Sequence, residues 1–264
     1  MKRVLTAAVL IPLVVGLIFK APNYSVRLAL ALVALLCLAE FLKLARYYGA
    51  QPFQLVAYVS AAWVVAGDPV PTAPFFLAIT LLMMTLAMRG GRVLSASVPT
   101  VAATLLGIVY TAVPFRLAGN LHASSPHWLF YVLLINWIGD SAAYYGGRLL
   151  GRHKLAPVLS PGKTWEGFFA SLLFSVPLAT LYLRHFLPQP PSLAFTIALS
   201  IAANLAAQVG DLAESALKRG AQVKDSGGLL PGHGGMLDRL DGVLFSVPVV
   251  YLAVVLGTAS RVHR

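Results

Sequence analysis

The stretch VRLALALVALLCLAEFL, Val26–Leu42, holds two charged residues, Arg27 and Glu40, and is otherwise apolar and unbroken. A transmembrane helix needs about 17–25 such residues. A strand of a membrane barrel would alternate apolar and polar residues over segments of roughly ten. The stretch therefore reads as a membrane-crossing helix, and the rest of the chain agrees. Of 264 residues, 58% are hydrophobic and 11% are charged. Soluble domains run at about 45–50% apolar and about 25% charged. The expected fold class is all-α, a polytopic integral membrane protein.

Working outward, about nine spans are expected: Val4–Phe19, Val26–Leu42, Phe53–Ala66, Pro74–Met88, Val98–Phe115, Trp128–Leu149, Phe168–Phe186, Leu193–Ala216 and Gly242–Thr258. The third is short. Turn signals such as GDPVPTAP and PQPPS separate them, and no internal repeat is present. Lys2 and Arg3 precede the first apolar run, but Lys20, Ala21 and Pro22 follow it. That is a poor cleavage site, so the run is expected to stay as a first span. If nine spans alternate from a cytoplasmic N-terminus, fourteen of the 20 Lys and Arg residues fall on the cytoplasmic side and six on the other. This is the bias of the positive-inside rule. It puts the N-terminus in the cytoplasm, and the expected location is the cell's inner membrane. The formal charge of +11 then belongs to orientation and to anionic membrane lipids, and nucleic acid is not expected as a partner. The single cysteine, Cys37, excludes an intrachain disulfide and a thiolate metal cluster.

Of the nine acids, only Glu40 and Asp68 lie in the first half. Residues 1–120 are expected to be scaffold and 121–264 the catalytic region, within one membrane unit. In NLAAQVGDLAESALKR, polar residues recur at Asn204, Gln208, Asp211, Ser215 and Lys218, a single helical stripe. Asn136, Asp140 and Tyr144 form another, and Asp238 and Asp241 are one turn apart at the entrance to the last span. Ionisable groups at membrane depth are costly and usually face a polar cavity. Carboxylates without thiolates or paired histidines favour a hard cation, Mg2+ in particular, held jointly with substrate phosphates. Lys218, Arg219, Lys224 and Arg239 suit a polyphosphate. The turn PGHGG, Pro231–Gly235, lets backbone amides approach an anion; His233 either donates to a phosphate or braces the loop. SPGKTWEG, Ser160–Gly167, contains G-K-T. A P-loop needs a glycine where Pro157 stands, no strand is expected before it, and the P-loop reading fails. Lys163 remains a phosphate contact, while Ser160 and Thr164 also suit a helix cap, with Glu166 in the first turn.

SALKRGAQVKDSGGLLPGHGGMLDRLD, Ser215–Asp241, resembles the signature of the phosphatidate cytidylyltransferases, also called CDP-diglyceride synthases. The flanking GDLAES, the D-x-x-A-Y-x-x-G of Asp140–Gly147 and Ser160–Gly167 are similar to that family too, so the likeness runs from about Asn136 to Gly242. It implies that CTP and phosphatidate give CDP-diacylglycerol and pyrophosphate with Mg2+, leaving room for a second cation, monovalent included, and it suggests a homodimer. Carried onto this chain, it implies a catalytic set of Asp211, Lys218, Arg219, Asp238 and Asp241. The metal would be held by Asp211, Asp238, Asp241 and Asp140. Phosphate binding would fall to Ser160, Lys163, Thr164, Ser215, Lys224, Asp225, His233, Gly234, Gly235 and Arg239. The active site is expected on the cytoplasmic side. Three rivals are set against it. A CTP-dependent lipid kinase, or a cytidylyltransferase for another lipid phosphate, would share the polar site. A CDP-alcohol phosphotransferase needs D-G-x-x-A-R, which is missing. A transporter would carry its polar stripes across the membrane, not gathered toward one side.

Overall fold

The computed structural model describes residues 2–67, 72–88, 94–228 and 234–262. Ten α-helices account for nearly all of it: α1 (Lys2–Lys20), α2 (Asn23–Tyr47), α3 (Gln54–Ala66), α4 (Thr72–Ala87), α5 (Ser97–Gly107), α6 (Val113–Ser124), α7 (Pro126–Leu150), α8 (Trp165–Phe186), α9 (Leu193–Gly220) and α10 (Leu237–Val262). A π-helical turn, Ile108–Ala112, joins α5 to α6. The all-α expectation holds apart from one small hairpin, β1 (Lys154–Ala156) and β2 (Ser160–Thr164), paired antiparallel.

Among the described residues, five helices are long and apolar enough to cross a membrane: Asn23–Tyr47, Leu94–Ser124, Trp165–Phe186, Leu193–Gly220 and Leu237–Gly257. This is a membrane protein. Leu10–Lys20, Gln54–Ala66 and Ala73–Ala87 are apolar but shorter. Helix α7 is long enough, at 25 residues, but Asn136, Asp140 and its tyrosines dilute its apolar run.

The chain forms two compact units. One comprises Met1–Leu10, Ala21–Gly119 and Leu217–Arg239; the other comprises Ile11–Lys20, Asn120–Ala216 and Leu240–Arg264. In the first, α2 packs on α3 and α5, and α4 packs on α5. Bare backbone at Gly107 lets α5 close on α2: a Cβ there would stand 2.9 Å from Phe41 Cδ1. The short helix α3 has no cap of its own, so its neighbours supply one at each end. Thr104 Oγ1 accepts the Phe53 N–H at 3.1 Å, and Arg116 Nη1 donates to the Val64 carbonyl at 2.7 Å. Helix ends away from water need such partners.

In the second unit, α7 packs along α8 through small residues. A Cβ on Gly146 would collide with the Ala170 methyl, and one on Gly167 would stand 2.7 Å from the Ala143 carbonyl oxygen. Close backbone approach of this kind is the usual basis of helix association in lipid, where no hydrophobic drive operates. Polar side chains then tie the helices laterally. Asn204 Nδ2 on α9 donates to Ser171 Oγ at 2.8 Å and Ser175 Oγ at 2.9 Å on α8. Asn136 Nδ2 on α7 donates to Ser246 Oγ on α10 at 2.9 Å, and the Tyr131 and Ser200 hydroxyls are bonded at 2.9 Å.

The hairpin corrects one expectation. A strand does precede the G-K-T triplet, and Gly162, Lys163 and Thr164 themselves lie in the second strand. Extended backbone cannot wrap a phosphate, so the P-loop reading fails for a second reason. Ser160 opens β2 and does not cap a helix. Thr164 does: its Oγ1 accepts the Gly167 N–H at 3.2 Å. Glu166, in the first turn of α8, accepts from the His153 backbone at 3.2 Å and bonds His153 Nδ1 at 2.7 Å, closing the base of the hairpin.

Because the atom opposite Gly167 is backbone, it cannot swing aside. Gly167→Ala is expected to cost about 1–3 kcal/mol by overpacking, read as a lowered Tm of the detergent-solubilised protein. The same change at Gly162, where a Cβ meets nothing, should leave Tm near the wild-type value.

Candidate functional site

Two polar clusters hold the residues singled out in the sequence, one in each unit. The first is in the unit of α7–α9. The stripe on α9 forms as the spacing predicts. Asn204 faces α8, Gln208 Nε2 donates to Asn204 Oδ1 at 2.7 Å, and Asp211 follows one turn on. Asp211 Oδ2 pairs with Lys163 Nζ on the hairpin at 2.6 Å, with both side chains partly exposed. Asp241 comes in from α10. A Cβ on Gly210 would stand 2.5 Å from the Asp241 carbonyl oxygen, so the glycine beside Asp211 is what lets the two helices cross here. Likewise a Cβ on Gly242 would stand 2.6 Å from Asn136 Oδ1, which draws α7 to the same crossing. The result is a gathering of carboxylates: Asp211, Glu214 and Asp140 all lie within electrostatic reach of Asp241. Glu214 is fully buried, Asp211 and Asp241 are half-buried and Asp140 is exposed.

The second cluster is in the other unit, around Asp238. Asp238 Oδ1 pairs with Lys218 Nζ at 2.6 Å. Its carboxylate also accepts the Ser226 N–H at 3.0 Å and the Gly235 N–H at 2.7 Å. Both partners of the ion pair are largely shielded from solvent, at 13% and 8% side-chain exposure. Asp238 is therefore saturated by protein donors. Gly234, at φ +78 beside this carboxylate, takes a left-handed conformation that only glycine adopts at no cost.

The glycine turn was expected to present amides to a substrate anion. In the structure the Gly235 amide is given to Asp238, and the next two amides, of Met236 and Leu237, go to Glu40 Oε1 at 3.0 Å and Oε2 at 2.8 Å. Glu40 Oε2 also accepts the Ser226 hydroxyl at 2.9 Å. Pro231 and His233 lie outside the described residues. Ser215 is buried; Arg219, Lys224, Asp225 and Arg239 are exposed, and Arg219 Nη1 donates to the Val223 carbonyl at 3.4 Å.

The carboxylate gathering offers hard oxygen donors, the type that Mg2+ takes. Among the described residues, no three His, Cys, Asp or Glu side chains close into a ready ligand group. Mg2+ needs no such cage. It keeps waters and takes one or two carboxylates together with substrate phosphates, so the donor set fits it.

Over residues 1–256 the sequence matches the profile described as the Cytidylyltransferase family. The chain belongs to that family. Among its relatives are proteins named phosphatidate cytidylyltransferase. That of Staphylococcus aureus strain COL is 39% identical over 153 residues, 57% of this chain and 58% of the relative. That of Staphylococcus saprophyticus is 36% identical over 179 residues, 67% of this chain and 68% of the relative. The alignment thus spans little more than half the length of the Staphylococcus aureus protein.

Within this member of the family, Glu40 is the residue that reading the sequence overlooked, having been assigned to scaffold. One signal pointed to it. A carboxylate inside an apolar run must find donors somewhere, and the run's one cation, Arg27, stands at its far end.

The Lys218–Asp238 pair gives a direct test. Removing one partner of a buried ion pair costs about 3–5 kcal/mol because it strands the other charge. Asp238 keeps two amide donors, so Lys218→Met should fall at or below the low end of that range. The double variant Lys218→Met/Asp238→Asn should recover part of the loss. Thermal unfolding of the four proteins in one detergent measures both.

Proposed function

We propose that this chain is a phosphatidate cytidylyltransferase, transferring the cytidylyl group of CTP to phosphatidate with release of pyrophosphate. The observation that carries the reading is the gathering of Asp140, Asp211, Glu214 and Asp241 beside Lys163 in a chain that shares 36–39% identity with proteins of that name. Both substrates are strongly anionic, and their mutual repulsion must be neutralised before they can react.

In this reading Asp211, Asp241 and Asp140 hold Mg2+, which when bound would neutralise charge on the phosphates. Asp238, already held by Lys218 and two amides, keeps the start of α10 in place. Lys163 stands on a hairpin strand and so has a fixed origin. Its ammonium pairs with Asp211 here and exchanges that partner for a substrate phosphate. Arg219, Lys224 and Arg239, which are exposed, are assigned to phosphates as well, while Lys218 stays with Asp238. The phosphatidate oxygen attacks the α-phosphorus of CTP in line. One P–O bond forms, the bond to pyrophosphate breaks, and the electron pair leaves with pyrophosphate. A phosphomonoester has its second pKa near 6, so the nucleophile is already ionised at neutral pH and needs no strong general base. What the chain contributes is positioning and charge neutralisation. We also assign nine spans, counting the shorter helices and α7 with the five long ones, with the N-terminus and the site on the cytoplasmic side of the inner membrane.

Purified protein supplied with labelled CTP, phosphatidate and Mg2+ should form CDP-diacylglycerol, and a polyprenyl phosphate in place of phosphatidate should not be used. Asp211→Asn should lower turnover by about 10²-fold or more, the scale of losing one electrostatic element, while the protein still inserts and purifies. Wild-type rates in that variant would remove the metal assignment. No turnover with the native chain would remove the function.

A further inference from the structure

Glu40 stands on α2 and is 4% exposed, inside an otherwise apolar stretch of that helix. Its carboxylate reaches two places far along the chain. At one it takes the Ser226 hydroxyl, and at the other the N–H groups of Met236 and Leu237. These last two are among the orphan donors at the start of α10, which local residues normally cap. Here the cap comes from 197 residues away, and it brings a negative charge to the positive end of a helix.

The fit around it is close. A Cβ on Gly227 would come 2.8 Å from Glu40 Cδ, and one on Gly235 would come 2.6 Å from the same atom. Glu40 therefore fills the space between two glycines of the signature segment. Those glycines have a packing reason to be glycine that involves no ligand. Asp238 works beside it, taking the Ser226 and Gly235 amides. The two carboxylates between them take the donors on both sides of the segment, at Ser226 and at Gly235–Leu237.

We propose that Glu40 is a positioning residue for the reaction, fixing both ends of the segment that carries Lys224 and Asp225 before the turn and Asp238 and Arg239 after it. The proposal rests on the cytidylyltransferase reading for what those side chains do, but not for the positioning itself. Glu40 touches no substrate in this role; it acts through the backbone it holds. Loss of the charge should loosen the segment without unfolding α2, because Glu40→Gln keeps the volume and one acceptor while setting an amide donor against backbone donors.

Two measurements on the full-length protein in detergent test this. Hydrogen exchange in peptides covering residues 234–240 should be faster in Glu40→Gln than in wild type, and faster to a smaller degree in Ser226→Ala, which removes one bond of the three. In steady-state assays the KM for CTP should rise about tenfold in Glu40→Gln, the consequence of losing roughly one hydrogen bond to a charged group. A merely structural role would lower activity in proportion to the folded fraction and leave KM alone. Wild-type exchange at 234–240 would overturn the proposal, and so would a wild-type KM with reduced specific activity. If the native chain turns over no CTP, the functional reading fails on its own. The exchange comparison still decides what Glu40 holds.

Discussion

A carboxylate removed from water must be met by donors or by a cation, and in a chain with nine acidic residues that requirement shapes the parts that matter. Apolar helices in an apolar solvent have little reason to prefer one register over another, since lipid covers their faces as well as a neighbour does. Buried charges do have a preference. Glu40 is satisfied only where Ser226, Met236 and Leu237 come to it, and Asp238 only where Lys218 and two amides do. Each such set admits one arrangement, so Ser226 and residues 235–237 are held by charge pairing more than by packing.

The acids divide into two kinds by surroundings. Glu40 and Asp238 meet N–H and O–H donors of the protein, and these build structure. Asp211, Asp140 and Glu214 each lie within electrostatic reach of Asp241. Like charges in a medium of lowered dielectric repel strongly, so a gathering of this kind is stabilised by whatever cation it holds. Lys163 serves one member of it through Asp211. The gathering depends in turn on Gly210 and Gly242, whose bare backbones let α10 approach α9 and α7. Larger residues at these points would part the helices and the carboxylates with them.

The long helices, the α9 stripe and the Thr164 cap were legible because each depends on local spacing alone. Asn204, Gln208 and Asp211 fall on one face by arithmetic, and a threonine just before an apolar helical run is a cap that operates within one turn. The hairpin was not legible. Ser160–Thr164 contains proline and glycine and reads as a loop, and it becomes a strand only by pairing with Lys154–Ala156. The partner of Glu40 was out of reach for a stronger reason: nothing within a window of any practical length indicates a bond to a residue 186 or more positions away. What the sequence did show was the anomaly, one acid stranded in Val26–Leu42, without its resolution.

That resolution changes the chemistry expected of the glycine turn. Glycine-rich turns often offer backbone amides to phosphate, and the sequence invites that reading for Gly234 and Gly235. In the structure the amides of Gly235, Met236 and Leu237 are already committed to the protein's own carboxylates. An amide given to a buried, fixed acid is not available to a substrate. Lys224 and Arg239, by contrast, are exposed. Glycine is needed there for its lack of a Cβ beside Glu40 and for its left-handed backbone at residue 234. At Ser226 and at Gly235–Leu237 the backbone is held by the protein's own anions, Glu40 and Asp238.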